Sequence, residues 1–330
     1  MKNQEKPKVL RDAIIDVPGI KVGHSQNLKA GTGCTVVICE NGAVTGVDVR
    51  GGAPGTRETD LLDPINLVEQ AHAIYLSGGS AFGLDGASGV MKYLEEKDIG
   101  FDVVLTKVPI VPAAVIFDLG VGDYKVRPDA KMGYEACTKA SDEEVGQGNI
   151  GAGTGATVGK IFGGFRCMKS GLGTASFMSQ KLIVGAIVVV NCFGDVIDPE
   201  SGEIIAGALT ENKKGFFNTM SLLKRLPQGV RNNFSTNTTI GVIATNAKLT
   251  KVGATKVAMM AHDGYARTTQ PAHTMFDGDT IFCMATGEVK AGVNVVGAIA
   301  ADVMAGAIVK AVKNTESLFG LLGYKDLQNK

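Results

Sequence analysis

The tripeptide Asn237-Thr238-Thr239 closes a long polar stretch and opens a strongly apolar one, TTIGVIAT, at 238–245. If the chain is cut before Thr238, that residue carries both a hydroxyl and its own α-amine. A free α-amine titrates at about 7.7–8.0. It can accept the hydroxyl proton near neutrality, which puts nucleophile and base in one residue. The same two threonines also suit an ordinary strand start, because Thr favours strands. Only four histidines are present, His24, His72, His262 and His273, and none forms a convincing Ser-His-Asp pattern.

Other chemistry-bearing patterns fail on spacing or context. The glycine-rich run at 146–160, GQGNIGAGTGATVGK, invites a phosphate-loop reading. That loop needs Gly where Thr154 stands and Ser or Thr where Ile161 stands. Gly146, Gly148 and Gly151 match GxGxxG, but SDEEV before them is no buried strand. SGGSAFG, at 77–83, lacks the spacing of a nucleophile elbow. His273, Asp277 and Asp279 can be drawn as metal ligands, yet no second His joins them and DGDT is also an ordinary turn. On pattern alone Lys160 equally suits a solvated loop, and Asn191 equally suits a turn before Gly194-Asp195.

The elements that must position these residues read as follows. Cys34–Glu40 and Val44–Val49 are apolar runs joined through Asn41-Gly42, which predicts a hairpin. Ala73–Leu76 reads as a strand ending at Gly78-Gly79, with a helix capped by Ser80 and facing inward through Ala87, Val90, Met91 and Leu94. Gly83, Gly86 and Gly89 leave a bare stripe on it for close backbone approach. Three strand-like stretches follow, Phe165–Met168, Gly173–Met178 and Leu182–Val190. The last, LIVGAIVVV, has the β-branched content of a strand buried on both faces. Asn212 to Asn237 reads as an exposed loop. After the strand at Thr238–Thr245, Ala254, Val257, Ala258, Ala261 and Tyr265 mark a helix face. Thr280–Thr286 is a further strand, and Val289 to Val312 a long Ala/Val helix. Helices and strands in mixed order, with strong turns, predict a layered α/β or α+β protein.

Composition sets the class. The chain has 330 residues, 33 Lys+Arg against 33 Asp+Glu, and 45% hydrophobic residues. A neutral balance offers no basic excess to drive nucleic-acid binding. The start, MKNQEKPKVLRDA, has no apolar signal core. The apolar run Ala291 to Val309 is interrupted by Asn294 and Asp302, which predicts a buried helix and no membrane partner. Six scattered cysteines without a CxxC pair point away from structural zinc and disulfides and toward a reducing cytoplasm.

Four segments together resemble a known family. They are GIKVGH (19–24) with DVRGGAPGTRETDLLDP (48–64), NIGAGTGATVGK (149–160), NTTIGVIATNA (237–247) and QPAHTMFDGDT (270–280). Their order and spacing resemble the self-cleaving amino-terminal-nucleophile (Ntn) hydrolases of the L-aminopeptidase/D-alanine-esterase-amidase family. That family includes β-peptidyl aminopeptidases and nylon-oligomer hydrolases. The resemblance implies an α+β fold, a four-layer αββα sandwich of the ornithine acetyltransferase/aminopeptidase type, formed by residues 1–330 as a single domain. It implies autocleavage between Asn237 and Thr238 into a large subunit, 1–237, and a small subunit, 238–330, assembled as a homo-oligomer, commonly a tetramer. It implies hydrolysis of small peptides, amides or esters with neither cofactor nor metal.

By the same resemblance Thr238 matches the nucleophile, Lys160 the catalytic lysine of the nylon-oligomer branch, and Asn191 the oxyanion-hole asparagine. Asp277 and Asp279 match positions that orient the nucleophile's surroundings; two residues apart, they either face the same way on an extended strand or are separated by a turn at Gly278. One of them would hold Lys160 charged while the other positions the new α-ammonium. Phe117, in PAAVIFDL, stands where relatives place a substrate-polarising tyrosine, and Phe has no donor. Losing one oxyanion donor costs about 2.7–4 kcal/mol, so the oxyanion hole is the part this departure touches. Two alternatives accompany the hydrolase: an acyltransferase of the ornithine acetyltransferase type, and a binding protein of the same fold with impaired catalysis.

Overall fold

Ten consecutive buried residues, Leu182–Asn191, form the strand on which the fold is organised. Its side chains alternate between two cores: Val184, Ala186, Val188 and Val190 enter one, and Ile183, Ile187 and Val189 enter the other. A strand with branched apolar residues on both faces is stable only between two covering layers, and that is where it lies. The structure, a computed structural model, describes residues 10–225 and 237–328.

The main strands are β1 (Lys21–Asn27), β2 (Thr32–Val49), β3 (Gln70–Ser77), β4 (Ala113–Val115), β5 (Leu172–Ser179), β6 (Leu182–Asn191), β7 (Thr238–Ala247) and β8 (Thr280–Val289). The main helices are α1 (Gly86–Glu95), α2 (Ala130–Thr138), α3 (Lys251–Thr268) and α4 (Val293–Lys313). Hydrogen bonds link the strands in the order β5-β6-β7-β8-β2-β3-β4, with the short strand Thr56–Arg57 beyond β4 and β1 also on β2. β7 and β8 are parallel, as are β3 and β4; the other pairs are antiparallel.

Packing divides this continuous ladder into two leaves. Val242, Phe282 and Met284 from one leaf meet Val37, Ile74 and Leu76 from the other in a central core. Outside the first leaf, Val257, Ala261 and Tyr265 of α3 and Ala300, Met304 and Ile308 of α4 cover Ile243 and Cys283. Outside the second, Val90 and Leu94 of α1 and Ala136 of α2 cover Val36 and Tyr75. The order helix, sheet, sheet, helix is the expected αββα sandwich.

Strand β2 joins the leaves, which corrects the expected hairpin at Asn41-Gly42. The segment is one strand from Thr32 to Val49. Residues 34–38 pair with β3, residues 44–49 pair with β8, and the register shifts between Ile38 and Ala43. Gly42 has φ +74°; a bulge and a hairpin turn both use such a glycine. Other boundaries also move. Ser80 is not a helix cap: Gly79 precedes a 3-10 segment, Ser80–Asp85, and the α-helix begins at Gly86. Phe165–Met168 is not a strand but a 3-10 turn at Gly163–Phe165 followed by Met168–Lys169. The expected loop at Asn212 to Asn237 contains a short strand, Phe216–Phe217, and a helical turn, Thr219–Leu223; its residues 226–236 lie outside the described part. The last long helix starts at Val293, because β8 continues to Val289.

Helix α4 is long and apolar enough to cross a membrane by length and composition, but most of it is buried within the fold. Its two interrupting polar residues, Asn294 and Asp302, lie on the exposed side. All six cysteines are buried and unpaired.

Of the expected glycine stripe, Gly89 faces another helix, while Gly83 lies in the 3-10 segment against the Gly78 carbonyl and Gly86 faces the Tyr75 ring. A Cβ on Gly89 would sit 1.7 Å from the Ala130 carbonyl oxygen, and one on Gly133 2.0 Å from that of Gly86. Helices α1 and α2 therefore meet backbone to backbone. Gly89→Ala is expected to destabilise the protein by at least about 1–3 kcal/mol, because the contact is rigid main chain. Urea unfolding of the purified variant checks this; an unchanged midpoint would contradict the packing.

Candidate active site

Four strand ends meet at one rim. Asn191, the last residue of β6, pairs directly with Thr238, the first of β7. β8 starts beside β7 in parallel, and β2 ends against it with Val49 opposite Thr280. Asn237 extends β7 backward by a parallel bridge to Asp277. The register thus places Asn191, Thr238, Asp277 and Asp279 together.

The Asn237–Thr238 peptide is buried and held. The Asn237 N–H donates to the Phe276 carbonyl at 2.9 Å, and the Gly278 N–H donates to the Asn237 carbonyl at 2.9 Å. The Thr238 hydroxyl also donates to that same carbonyl. Gly278 is required by space: a Cβ there would lie 2.9 Å from Thr238 Oγ1 and 2.8 Å from the Ala53 carbonyl. The loop after β2 braces this turn, with Ala53 N–H on the Asp277 carbonyl at 2.8 Å and Arg50 N–H on that of Asp279 at 2.9 Å. A Cβ on Gly51 would lie 2.2 Å from the Asp277 carbonyl, which accounts for the paired glycines of DVRGGAPG.

Lys160 and Asn191 form the second half of the site. Lys160 Nζ donates to Asn191 Oδ1 at 2.8 Å and to the Asn191 carbonyl at 3.0 Å. Thr157 N–H also donates to Asn191 Oδ1, at 3.0 Å. Those donors fix which way the amide faces, because only the oxygen can accept them. Asn191 Nδ2 donates to the Phe117 carbonyl at 3.1 Å. Phe117 thus serves the site through its main chain, whatever its ring. Burial pushes the Lys160 ammonium down to about 8, against the pull of nearby acidic groups that include Asp277.

The loop carrying Thr157 and Lys160 is itself pinned. Lys169 is fully buried and donates to the carbonyls of Gly153 at 2.9 Å, Ala156 at 3.0 Å and Ser170. The glycine-rich run opens on a 3-10 turn, Gly151–Gly153, and not on the long helix of a nucleotide-binding fold.

The two aspartates have separate duties. Asp277 Oδ2 accepts from Thr274 N–H at 3.0 Å and Thr274 Oγ1 at 2.5 Å. Asp279 Oδ1 accepts from Thr239 N–H at 2.7 Å. Asp279 Oδ2 accepts from His273 N–H at 3.1 Å and lies 2.8 Å from His273 Nδ1. The turn at Gly278 separates them, as one of the two expected geometries has it. Neither carboxylate hydrogen-bonds Lys160; Asp277 reaches it only through its charge. Burial, and then the charge of Asp279, raises Asp277 to about 6. His273 is engaged with Asp279, and among the described residues no three metal-binding side chains cluster.

Comparison with known proteins decides the family. The sequence profile of peptidase family S58 matches residues 12–325. The chain belongs to peptidase family S58. This S58 protein is 43% identical to an uncharacterized aminopeptidase of Mycobacterium leprae, over 95% of its own length and 93% of that relative's. It is 32% identical to a 6-aminohexanoate-oligomer endohydrolase of a Kocuria strain, over 90% of its own chain and 85% of the other. In fold it is similar to the L-aminopeptidase D-Ala-esterase/amidase of Ochrobactrum anthropi, described as a variant of the Ntn hydrolase fold. The TM-score is 0.69 at 17% identity, covering 93% of this chain and 87% of that one. The S58 protein is a hydrolase acting on amide bonds. The comparisons do not favour the acyltransferase alternative.

Several residues of the S58 site escaped the sequence reading. Thr157 and Lys169 act through or hold main-chain groups, and Thr274 gives Asp277 both its N–H and its hydroxyl, contacts for which side-chain patterns give no signal. His273 stood in view only as a metal ligand, although its closeness to Asp279 in sequence was the available clue. Chemically, the arrangement offers a carbonyl that receives a buried hydroxyl and a fixed backbone donor, beside a strand end whose amide is bound by an ammonium.

That electrostatic balance carries a pH dependence for any reaction at the Asn237 carbonyl that needs Lys160 charged and Asp277 ionised. Lys160 loses its proton as pH rises through about 8, and Asp277 gains one as pH falls through about 6. If the Asn237–Thr238 bond cleaves itself, that reaction is expected to be fastest between those values and slower on both sides. A gel time course across pH 5–10 at roughly one-unit steps checks it. A rate that climbs steadily to pH 10 would contradict the role given to Lys160.

Proposed function

We propose that this S58 hydrolase is made as a precursor, cuts itself between Asn237 and Thr238, and then uses Thr238 as an N-terminal nucleophile on small linear amides. The observation that carries the reading is the Asn237 carbonyl, held by Gly278 N–H at 2.9 Å and touched by the Thr238 hydroxyl. Thr238 Oγ1 attacks that carbonyl carbon, the C–N bond breaks, and the hydroxyl proton ends on the new α-amine. The resulting ester is hydrolysed by water, leaving a carboxylate at Asn237. In turnover the α-amine of Thr238 accepts the hydroxyl proton as Oγ1 attacks the substrate carbonyl. Asn191 Nδ2 donates to the developing oxyanion, with Lys160 polarising the asparagine from behind. The departing amine takes the proton, and water releases the acyl group.

The substrate class follows the relatives: an aminopeptidase at 43% identity and an oligomer endohydrolase at 32% both imply an extended amide chain. Backbone donors and a single side-chain amide recognise the reacting carbonyl, so the same machinery serves α-peptides and ω-amino-acid oligomers.

Amino-acid p-nitroanilides and 6-aminohexanoate oligomers, assayed with the wild type and with Thr238→Ala, test the reading. Hydrolysis of at least one class by the wild type is expected. Thr238→Ala is expected to lose about a thousandfold or more in kcat, since removing a nucleophile removes the acyl-enzyme route. A Thr238→Ala variant as active as the wild type would overturn the proposal.

A further inference from the structure

His273 lies outside the reacting atoms and is assigned nothing by the chemistry above, yet it is tied to them by a short chain of contacts. Its Nδ1 is 2.8 Å from Asp279 Oδ2, and its N–H donates to the same oxygen at 3.1 Å. The other oxygen of Asp279 accepts the Thr239 N–H at 2.7 Å. That N–H belongs to the peptide joining Thr238 to Thr239. The Asp279 carboxylate is buried, so it can rotate only if one of these donors lets go.

The surroundings hold His273 in one orientation. Its ring packs edge-on to His262 at 4.8 Å and stacks on Tyr265 at 6.0 Å, both from α3. His273 adopts φ +56°, a left-handed conformation uncommon outside glycine but one that His enters more readily than most residues. Its Nε2 is buried without a partner among the described residues, so the hydrogen-bonding side of the ring is the one toward Asp279. His262 lies 3.1 Å from the Asp48 carbonyl through Nε2, and burial lowers it to about 4. That neighbouring ring is therefore uncharged near neutral pH.

We infer that His273 is a positioning residue: it fixes the rotation of Asp279, and Asp279 fixes the Thr238–Thr239 peptide and with it the direction of the Thr238 hydroxyl. The inference rests on Thr238 being the nucleophile. It assigns the left-handed backbone at His273 a purpose, since that conformation lets one residue give Asp279 both its main-chain and side-chain donors.

Two substitutions separate this role from simple packing. His273→Phe keeps the ring volume between His262 and Tyr265 and removes the donor. His273→Asn removes the ring, keeps an amide donor near the place of Nδ1, and tolerates positive φ. We expect His273→Phe to lose about tenfold to a hundredfold in kcat with KM changed by less than about threefold, and to self-cleave more slowly. We expect His273→Asn to retain most of its kcat. Should His273→Phe fail to fold, His273→Gly against His273→Asn gives the same comparison, both being at ease at positive φ. The inference is overturned if His273→Phe keeps wild-type kcat, or if donor-bearing and donor-lacking variants lose kcat alike. Thr238→Ala is measured beside them. An active Thr238→Ala overturns the nucleophile reading and this inference with it; an inactive one beside a normal His273→Phe overturns this inference alone.

Discussion

The site depends on one register: Asn191 opposite Thr238 at the shared end of β6 and β7. A slip of one residue would turn every side chain of β7 to the opposite face. The register is held by what lies behind it. Ile240 and Val242 enter the central core and Ile243 the outer one, and a slip would bring Gly241 to a place that a branched side chain fills. Hydrophobic burial along two strands thereby sets Thr238 opposite Asn191. Each fully buried Val or Ile contributes about 1.5–3 kcal/mol, so the alignment is held by many residues that never approach the chemistry.

Electrostatics at the rim work against stability and for reactivity. Lys160 is depressed by burial and Asp277 raised by it, so both charged forms are disfavoured by their surroundings. Among the described residues, neither is neutralised by a direct ion pair. Lys160 spends its hydrogen bonds on Asn191, which makes the amide a stronger donor at its other end. An ammonium locked to a carboxylate would stabilise the folded chain more and polarise Asn191 less. Main-chain donors at Thr157 and Gly278 complete the arrangement without adding charge. Phe117 fits this logic, since it lends Asn191 a carbonyl and no side-chain group.

Much of this was legible in the sequence where a single physical signal dominated. LIVGAIVVV could only be a doubly buried strand, and the 3.6-residue recurrence of Ala254, Val257, Ala258, Ala261 and Tyr265 specified the inner face of α3. Gly89 of α1 announced a close backbone crossing. Asn41-Gly42 misled because a left-handed glycine serves a bulge as well as a turn, and only long-range pairing of β2 with both β3 and β8 distinguishes them. Thr238, Lys160, Asn191, Asp277 and Asp279 were named from family resemblance, and the fold brings them to one rim. Separate duties for the two aspartates and a turn at Gly278 were among the expectations, but their actual partners, Thr274 for Asp277 and Thr239 with His273 for Asp279, were not readable, because they rest largely on main-chain groups whose direction is set by tertiary structure.

The central claim is that the Asn237–Thr238 bond is held for cleavage by its own hydroxyl. The most direct measurement is the intact mass of freshly purified protein under denaturing conditions. The account predicts two species, one ending at Asn237 and one beginning with Thr238. A single 34.3 kDa chain that stays whole through long incubation near neutral pH, yet hydrolyses amides, would contradict it.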